Sequence, residues 1–423
     1  MPLFLFKDRL ITMRAAMPLA MRHNSPWLLL PLILPTIILP ALVAGAEGPS
    51  LDFSAARRVL REAIADGAFP GCAVAVGTSE ATLWLEGLGR FDYEQGPKVT
   101  PRSLYDLASL TKVVGTTSVV LVLVRDGKLQ LDDRLVSLLP EFTGGGREDV
   151  TVEHILTHSS GLPAGRPLHE QATGYRQVIE KTLMTRLEAR SGERERYSDL
   201  GYILLGELVT RVGKTPLPEL ERKLVFEPLG LHDTLRRPPP EELPRIVPTE
   251  LRKPVRRRPM TRGGKRGKGA AGSEDEPILI RGTVHDENAD AGDGVTGHAG
   301  LFSTAQDLSV FARELLRALK GESEVFPRKL ALRFFRRREL VPGSSRALGW
   351  DTPSGVSSAG TLFSSKSFGH TGFTGTSMWM DPERDLFVIL LSNRVHPTRK
   401  NRKISKVRPK LADAVVRCLK KPQ

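Results

Sequence analysis

The chain is 423 residues long, more than one compact core usually holds, so a two-lobed enzyme or a pair of domains is the starting expectation. A hydrophobic share of 40% and a charged share of 26% exclude wholesale disorder and a multi-span membrane protein. The net charge of +14 is local: residues 251 to 268 carry nine Lys or Arg and no acid, and residues 399 to 410 carry seven more, so it reads as solvated runs and nucleic-acid binding is not expected.

From Trp27 the sequence runs WLLLPLILPTIILPALVAGA, uncharged, preceded by Arg14 and Arg22 and closed by the small residues Ala44-Gly45-Ala46. Residues 1–46 therefore read as an export signal, with an uncleaved membrane anchor as the alternative; Pro31, Pro35 and Pro40 would each interrupt a spanning helix. The expected location is periplasmic or secreted. Association with the envelope, through this segment or the basic insert below, stays open. Cys72 and Cys418 are the only cysteines and are expected to be two buried free thiols rather than a bridge.

Residues 52 to 66, DFSAARRVLREAIAD, carry apolar positions at helical spacing and stop at Gly67. GCAVAVGTS (71 to 79) and ATLWLEGLG (81 to 89) read as an antiparallel hairpin. The segment SLTKVVGTTSVVLVLVRDGK is apolar on every side from Val113 to Val124, as in a helix crossing a core, and ends at Asp126-Gly127. Mostly helical patterns follow to about residue 235. A Gly- and Pro-rich basic stretch over 236–276 reads as a disordered insert. A helix over 303 to 320, strands in TSMWMDP and DLFVILLSNR and a final helix, LADAVVRCLKK, complete the chain. This order implies an α+β fold: an antiparallel sheet flanked by helices from both chain ends (about 52–110 and 280–420), with an inserted, mostly helical lobe (about 111–235) and a cleft between the lobes.

Three short elements could carry chemistry. Ser109 and Lys112, three apart at the start of the buried helix, fall on one face, and a lysine can take a serine's proton when burial or adjacent positive charge lowers its pKa. Ser109 is the only Ser in the chain with Lys three positions later. Tyr197-Ser198-Asp199 opens another helix; the tyrosine can relay protons and Asp199 could orient Lys112. His370-Thr371-Gly372 sits at the head of a strand, where glycine admits a substrate close to the backbone. Taken singly, each reads better as a capped helix start or a glycine turn.

Together, in this order and spacing, the three elements resemble the serine β-lactamase and penicillin-binding-protein superfamily, especially class C β-lactamases and the related esterases and D-aminopeptidases. The resemblance covers about residues 52 to 420 and includes LTHSSGLP (156 to 163) and GHAGLFSTAQDL (297 to 308). It implies a β-lactamase/transpeptidase-like fold. It also implies Ser109 as the acylated nucleophile, Lys112 as its partner, Tyr197 as general base or relay, and the backbone N–H groups of Ser109 and Phe373 as the oxyanion hole. Asp199 stands where the family usually has asparagine and His370 where lactamases have lysine, so an amide donor and a fixed positive charge for a substrate carboxylate are both missing.

The expected activity is therefore hydrolysis of an ester or a small amide or peptide through an acyl-enzyme. A β-lactamase or D,D-carboxypeptidase is the alternative, and a silent binder of cell-wall fragments is the alternative of another class. No cofactor or metal is expected: the nine histidines show no ligand spacing, His285-Asp286-Glu287 reads as a polar turn, and neither a Gly-x-Ser-x-Gly elbow nor a phosphate-cradling glycine loop is present.

Overall fold

A helix that buries one stripe needs a partner surface, and the first helix finds it on a sheet completed from the other end of the chain. The computed structural model describes residues 51–253 and 276–420; the expected leader and the centre of the basic insert lie outside the described residues. Helix α1 (Ser54–Ala65) buries Ala56, Leu60 and Ala63. Strands β1 (Gly71–Gly77) and β2 (Thr82–Gly89) form the expected hairpin, with a register shift between Val76 and Gly77. The all-apolar segment then gives a π-helical turn over Lys112–Thr117 that continues as α2 (Ser118–Arg125). Next come α3 (Asp199–Gly213), α4 (Ala305–Lys320), β3 (Phe368–Thr371), β4 (Ser377–Asp381), β5 (Leu386–Ser392) and α5 (Ile404–Lys420).

The strands make one antiparallel sheet in the order β2-β1-β5-β4-β3, with Cys72 opposite Ser392 and Gly77 opposite Phe387. Alternation along the strands sends side chains to two faces. Cys72, Val74, Val76, Trp379, Val388 and Leu390 pack with α1 and α5; Cys418 is buried in the same cluster, and no disulfide joins the two cysteines. Ala73, Ala75, Met378, Met380, Phe387 and Ile389 join a second cluster that also takes in the buried helix and α3. The helical region between 111 and 235 thus shares one core with the sheet's inner face instead of closing a core of its own.

Three expectations need correction. The basic insert is narrower than 236–276: Leu235–Arg236 pairs with Leu301–Ser303, Ile246 and Val247 are buried, and Leu251–Arg252 pairs with Ile278–Leu279. Closely spaced prolines at 238–240, 244 and 248 hid that apolar pair among turn signals. The last helix begins at Ile404, well ahead of LADAVV, and carries Pro409 inside it, so part of the second basic run is helical. Finally, the helix entered from Ser109 opens as a π turn, in which the Ser118 hydroxyl donates to the Val113 carbonyl at 2.9 Å and Thr116 donates to Gly297 O at 2.7 Å.

Candidate active site

The strand Tyr105–Asp106 delivers the chain to Ser109 through a strained turn. Buried Asp106 accepts from Ala108 N at 2.8 Å and from His285 N at 2.6 Å, and Ala108 is held at φ +47°, a left-handed conformation costly for a residue with a Cβ. Ser109 stays partly exposed, whereas Lys112 behind it is fully buried. The Lys112 ammonium donates to Ser109 Oγ at 3.0 Å and to the His298 carbonyl at 3.1 Å. Its nitrogen also lies 2.7 Å from Asp199 Oδ1, an ion-pair contact whose angles fall short of a directed hydrogen bond.

Tyr197 and Asp199 arrive at the start of α3. Ser198 caps that helix by accepting from Gly201 N at 3.2 Å, while its own N–H donates to His158 Nδ1 at 3.1 Å. The capped helix start and the functional element are thus the same three residues. Lys112 and Ser109 both lie near enough to the Tyr197 phenol to favour its ionised form, and Lys112 Nζ sits 5.0 Å from the Tyr197 ring centre. Hydroxyl, amine and phenol, 88 residues apart at the extremes, share one small volume.

Burial pulls the Lys112 pKa down, but the Asp199 carboxylate and Tyr197 pull it up further, and the net direction is upward. Lys112 is therefore an ammonium at rest. This corrects the expectation that burial or neighbouring positive charge would leave it a free base: the nearest charge is negative. Burial likewise raises Tyr197, against the opposing pull of Lys112, so the tyrosine rests as a phenol.

The third element closes the site from the sheet. Gly372 lies so close to the segment before Ser109 that a Cβ there would meet Leu107 O at 2.4 Å. Thr374 and Thr376 donate to the carbonyls of Asp106 and Leu107 at 2.8 and 2.9 Å, which ties this turn to the strand that leads to Ser109. Arg408 holds the carbonyls of Gly372 and Thr376 at 2.8 and 2.7 Å, and Arg394 holds that of Phe373 at 2.7 Å. Among the described residues no acceptor takes the N–H of Ser109 or of Phe373, which leaves two donors beside the hydroxyl. The Phe373 ring is half exposed, with the Arg394 guanidinium 4.3 Å from its centre and His285 5.7 Å away. Thr371 is partly exposed beside it.

His370 is buried, and its Nδ1–H donates to Thr371 O at 2.9 Å, so Nε2 carries the lone pair. Burial first, then Lys112 and Arg346, holds its pKa well below the ordinary histidine value. It is a neutral acceptor at neutral pH.

Sequence reasoning missed several neighbours. His298 presents its carbonyl to Lys112 and is fixed by Asp286 at 2.9 Å and Thr296 at 3.0 Å. The His158 ring packs tilted at 36° against Tyr197 with centroids 4.3 Å apart, and the Arg346 guanidinium sits 5.4 Å from the same ring. His158 and His298 lie within LTHSSGLP and GHAGLFSTAQDL, so a signal existed for both; Arg346 had none. The triplet His285-Asp286-Glu287 is divided between Glu250, His298 and Arg399, and among the described residues no group of three such side chains could hold a metal ion.

Gly297 matters because a Cβ on it would meet Tyr202 O at 2.2 Å, a backbone atom that cannot step aside. Gly297→Ala is expected to cost about 1–3 kcal/mol and to slow acylation by moving the neighbouring His298 carbonyl. Thermal unfolding alongside burst kinetics checks this, and a loss of stability with unchanged acylation would detach His298 from the site.

The family model described as Beta-lactamase matches residues 56–411. A protein of Escherichia coli (strain K12), provisionally named a D-alanyl-D-alanine carboxypeptidase, is 31% identical over 328 residues, 72% of each chain. A Salmonella typhi protein of the same name is 29% identical over 331 residues, 73% of each chain. Among solved structures, EstCE1, a hydrolase with promiscuous acyltransferase activity, superposes with a TM-score of 0.66 at 21% identity, covering 86% of this chain and 97% of its own. A class C β-lactamase from Rhodobacter sphaeroides gives 0.64 at 20% identity, covering 86% and 99%. At such identities these two are alike in fold.

Proposed function

The chain belongs to the beta-lactamase family of serine hydrolases, and from that premise we propose that Ser109 is acylated by an ester or a small amide or peptide and released by water. The observation that carries this reading is the 3.0 Å contact between Ser109 Oγ and the fully buried Lys112, both in reach of the Tyr197 phenol. In this reading Ser109 attacks the substrate carbonyl, and the developing oxyanion takes the free N–H groups of Ser109 and Phe373. The Tyr197 hydroxyl passes a proton to the leaving group, and water then releases the acyl group from Ser109.

Ester preference rests on charge. A penicillin or a peptide ending in D-alanine brings a carboxylate, and the position that would hold it offers the neutral lone pair of His370, with the acidic Asp199 nearby instead of an amide. A short ester brings no such charge. D,D-carboxypeptidase activity is the second reading, favoured by the name of the Escherichia coli relative at 31% identity. A silent binder of wall fragments is the least economical, because a pure binder has no need of a serine, an ammonium and a phenol converging on one point. The reading also proposes work outside the cytoplasm, supported by the leader-like residues 1–46.

A fluorophosphonate is expected to add one mass to Ser109 and nothing to Ser109→Ala. Persistent labelling of that variant would sink the assignment. In a panel of short-chain nitrophenyl esters, a chromogenic cephalosporin and D-alanyl peptides, the esters are expected to turn over fastest. Cephalosporin turnover above every ester would show that His370 and Asp199 do not set the preference.

A further inference from the structure

An ammonium has three protons and no lone pair. Lys112 donates to Ser109 Oγ and to the His298 carbonyl at 3.0 and 3.1 Å, and its nitrogen lies 2.7 Å from Asp199 Oδ1. It cannot take the Ser109 proton until it has given one away. Of its partners, a peptide carbonyl, an alcohol and a phenol are all poor keepers of a proton; a carboxylate keeps one readily.

We propose that Asp199 is the terminal proton acceptor of acylation, reached through Lys112. The proposal rests on the serine-hydrolase reading above. As the Ser109 Oγ–C bond forms and the carbonyl π pair moves onto oxygen, the hydroxyl proton passes to Lys112 Nζ and a proton already on Nζ passes to Asp199 Oδ1. Charge balances: an ammonium and a carboxylate become an ammonium, a neutral acid and an oxyanion held by backbone N–H groups. When the adduct collapses, the oxyanion pair re-forms the carbonyl and the leaving group departs with a proton from the Tyr197 hydroxyl. Lys112 re-protonates Tyr197, and Asp199 returns its proton to Lys112. Asparagine at this position could not receive the proton, so the aspartate here is a change of role rather than a conservative variation.

The surroundings favour this route over its rivals. Asp286 is committed to His298 at 2.9 Å and to the N-terminus of its own short helix. His370 offers a lone pair at Nε2, but among the described residues no hydrogen bond joins that nitrogen to any other group, and the same holds for His158 Nε2. Arg346 and Tyr202, the other polar groups facing the pair, cannot act as proton acceptors. About a third of the Asp199 side chain is exposed, while Oδ1, the receiving oxygen, is buried and takes no hydrogen bond among the described residues.

The test is the pH dependence of acylation, read as kcat/KM and as the burst rate with a nitrophenyl ester, in the wild type, Asp199→Asn, Asp199→Glu and His370→Gln. Wild-type activity is expected to fall toward acid. Asp199→Asn is expected to lose about 10²-fold near neutrality and recover at alkaline pH, where the lysine sheds its proton to solvent. Asp199→Glu is expected to keep the wild-type loss of activity toward acid, and it decides the matter if the asparagine variant does not fold. A limb that stays put in Asp199→Asn, an alkaline limb in Asp199→Glu, or a limb that moves only in His370→Gln overturns the proposal. Wild-type protein that a fluorophosphonate fails to label would instead overturn the hydrolase reading itself.

Discussion

Lys112→Met is expected to lower acylation about 10³–10⁴-fold while shifting stability by less than about 2 kcal/mol. The two halves of this expectation come from different facts about the same side chain. Function depends on the nitrogen, which alone touches Ser109 Oγ, Asp199 and the His298 carbonyl. Stability depends on the stem, which is fully buried and which methionine matches in length and shape. Breaking a buried ion pair is usually costly because it strands the other charge, but Asp199 keeps about a third of its side chain in solvent and can be rehydrated. Burst kinetics and urea unfolding on the same preparation separate the two effects. A variant that unfolds early would make Lys112 a scaffold residue first, and one that still acylates at a tenth of the wild-type rate would remove it from the proton path.

How much of this was legible beforehand depends on the range of the interaction that decides each feature. The β1–β2 hairpin and the buried helix are local statements, written in alternation and in an apolar run with no polar side, and both stand where the sequence put them. The start of α5 was hidden because Pro409 reads as a stop signal, although the helix absorbs it. Ile246 and Val247 were hidden by prolines on either side, and only the burial of Ile246 against Leu104 and Phe302 and of Val247 in the main core reveals that the stretch belongs to the fold. At the site, residue types and order pointed to Ser109, Lys112 and Tyr197, but the charge state of Lys112 was out of reach. It turns on a 2.7 Å separation from Asp199, across 87 residues of chain, and reverses the sign that burial alone would give. The carbonyl of His298 was invisible for a simpler reason: a backbone acceptor carries no residue signature.

Glu221→Gln is expected to destabilise the protein by about 3–5 kcal/mol, the largest stability effect of any single change considered, and to reduce acylation with it. Glu221 and Arg236 form a two-pronged pair, Nε to Oε2 at 2.7 Å and Nη2 to Oε1 at 2.9 Å, with side chains 0% and 2% exposed. Neither can turn to water. An amide in place of the carboxylate leaves the arginine cation in the interior with no counter-charge. The same guanidinium donates from Nη1 to the carbonyls of Gly294, Thr296 and Ala299, at 3.2, 3.0 and 2.9 Å, which brackets the residue whose carbonyl holds Lys112. On the other side the carboxylate abuts the π-helical turn behind Ser109: a Cβ on Gly115 would lie 2.2 Å from Glu221 Oε1. One ion pair therefore fixes both the lysine's helix and the lysine's acceptor. Arg236→Gln should be milder at the carboxylate but should release the 294–299 segment, so its loss of acylation should exceed its loss of stability relative to Glu221→Gln. Denaturant midpoints and burst rates for the two variants distinguish these outcomes, and equal ratios in both would mean that the pair supports the fold without steering the site.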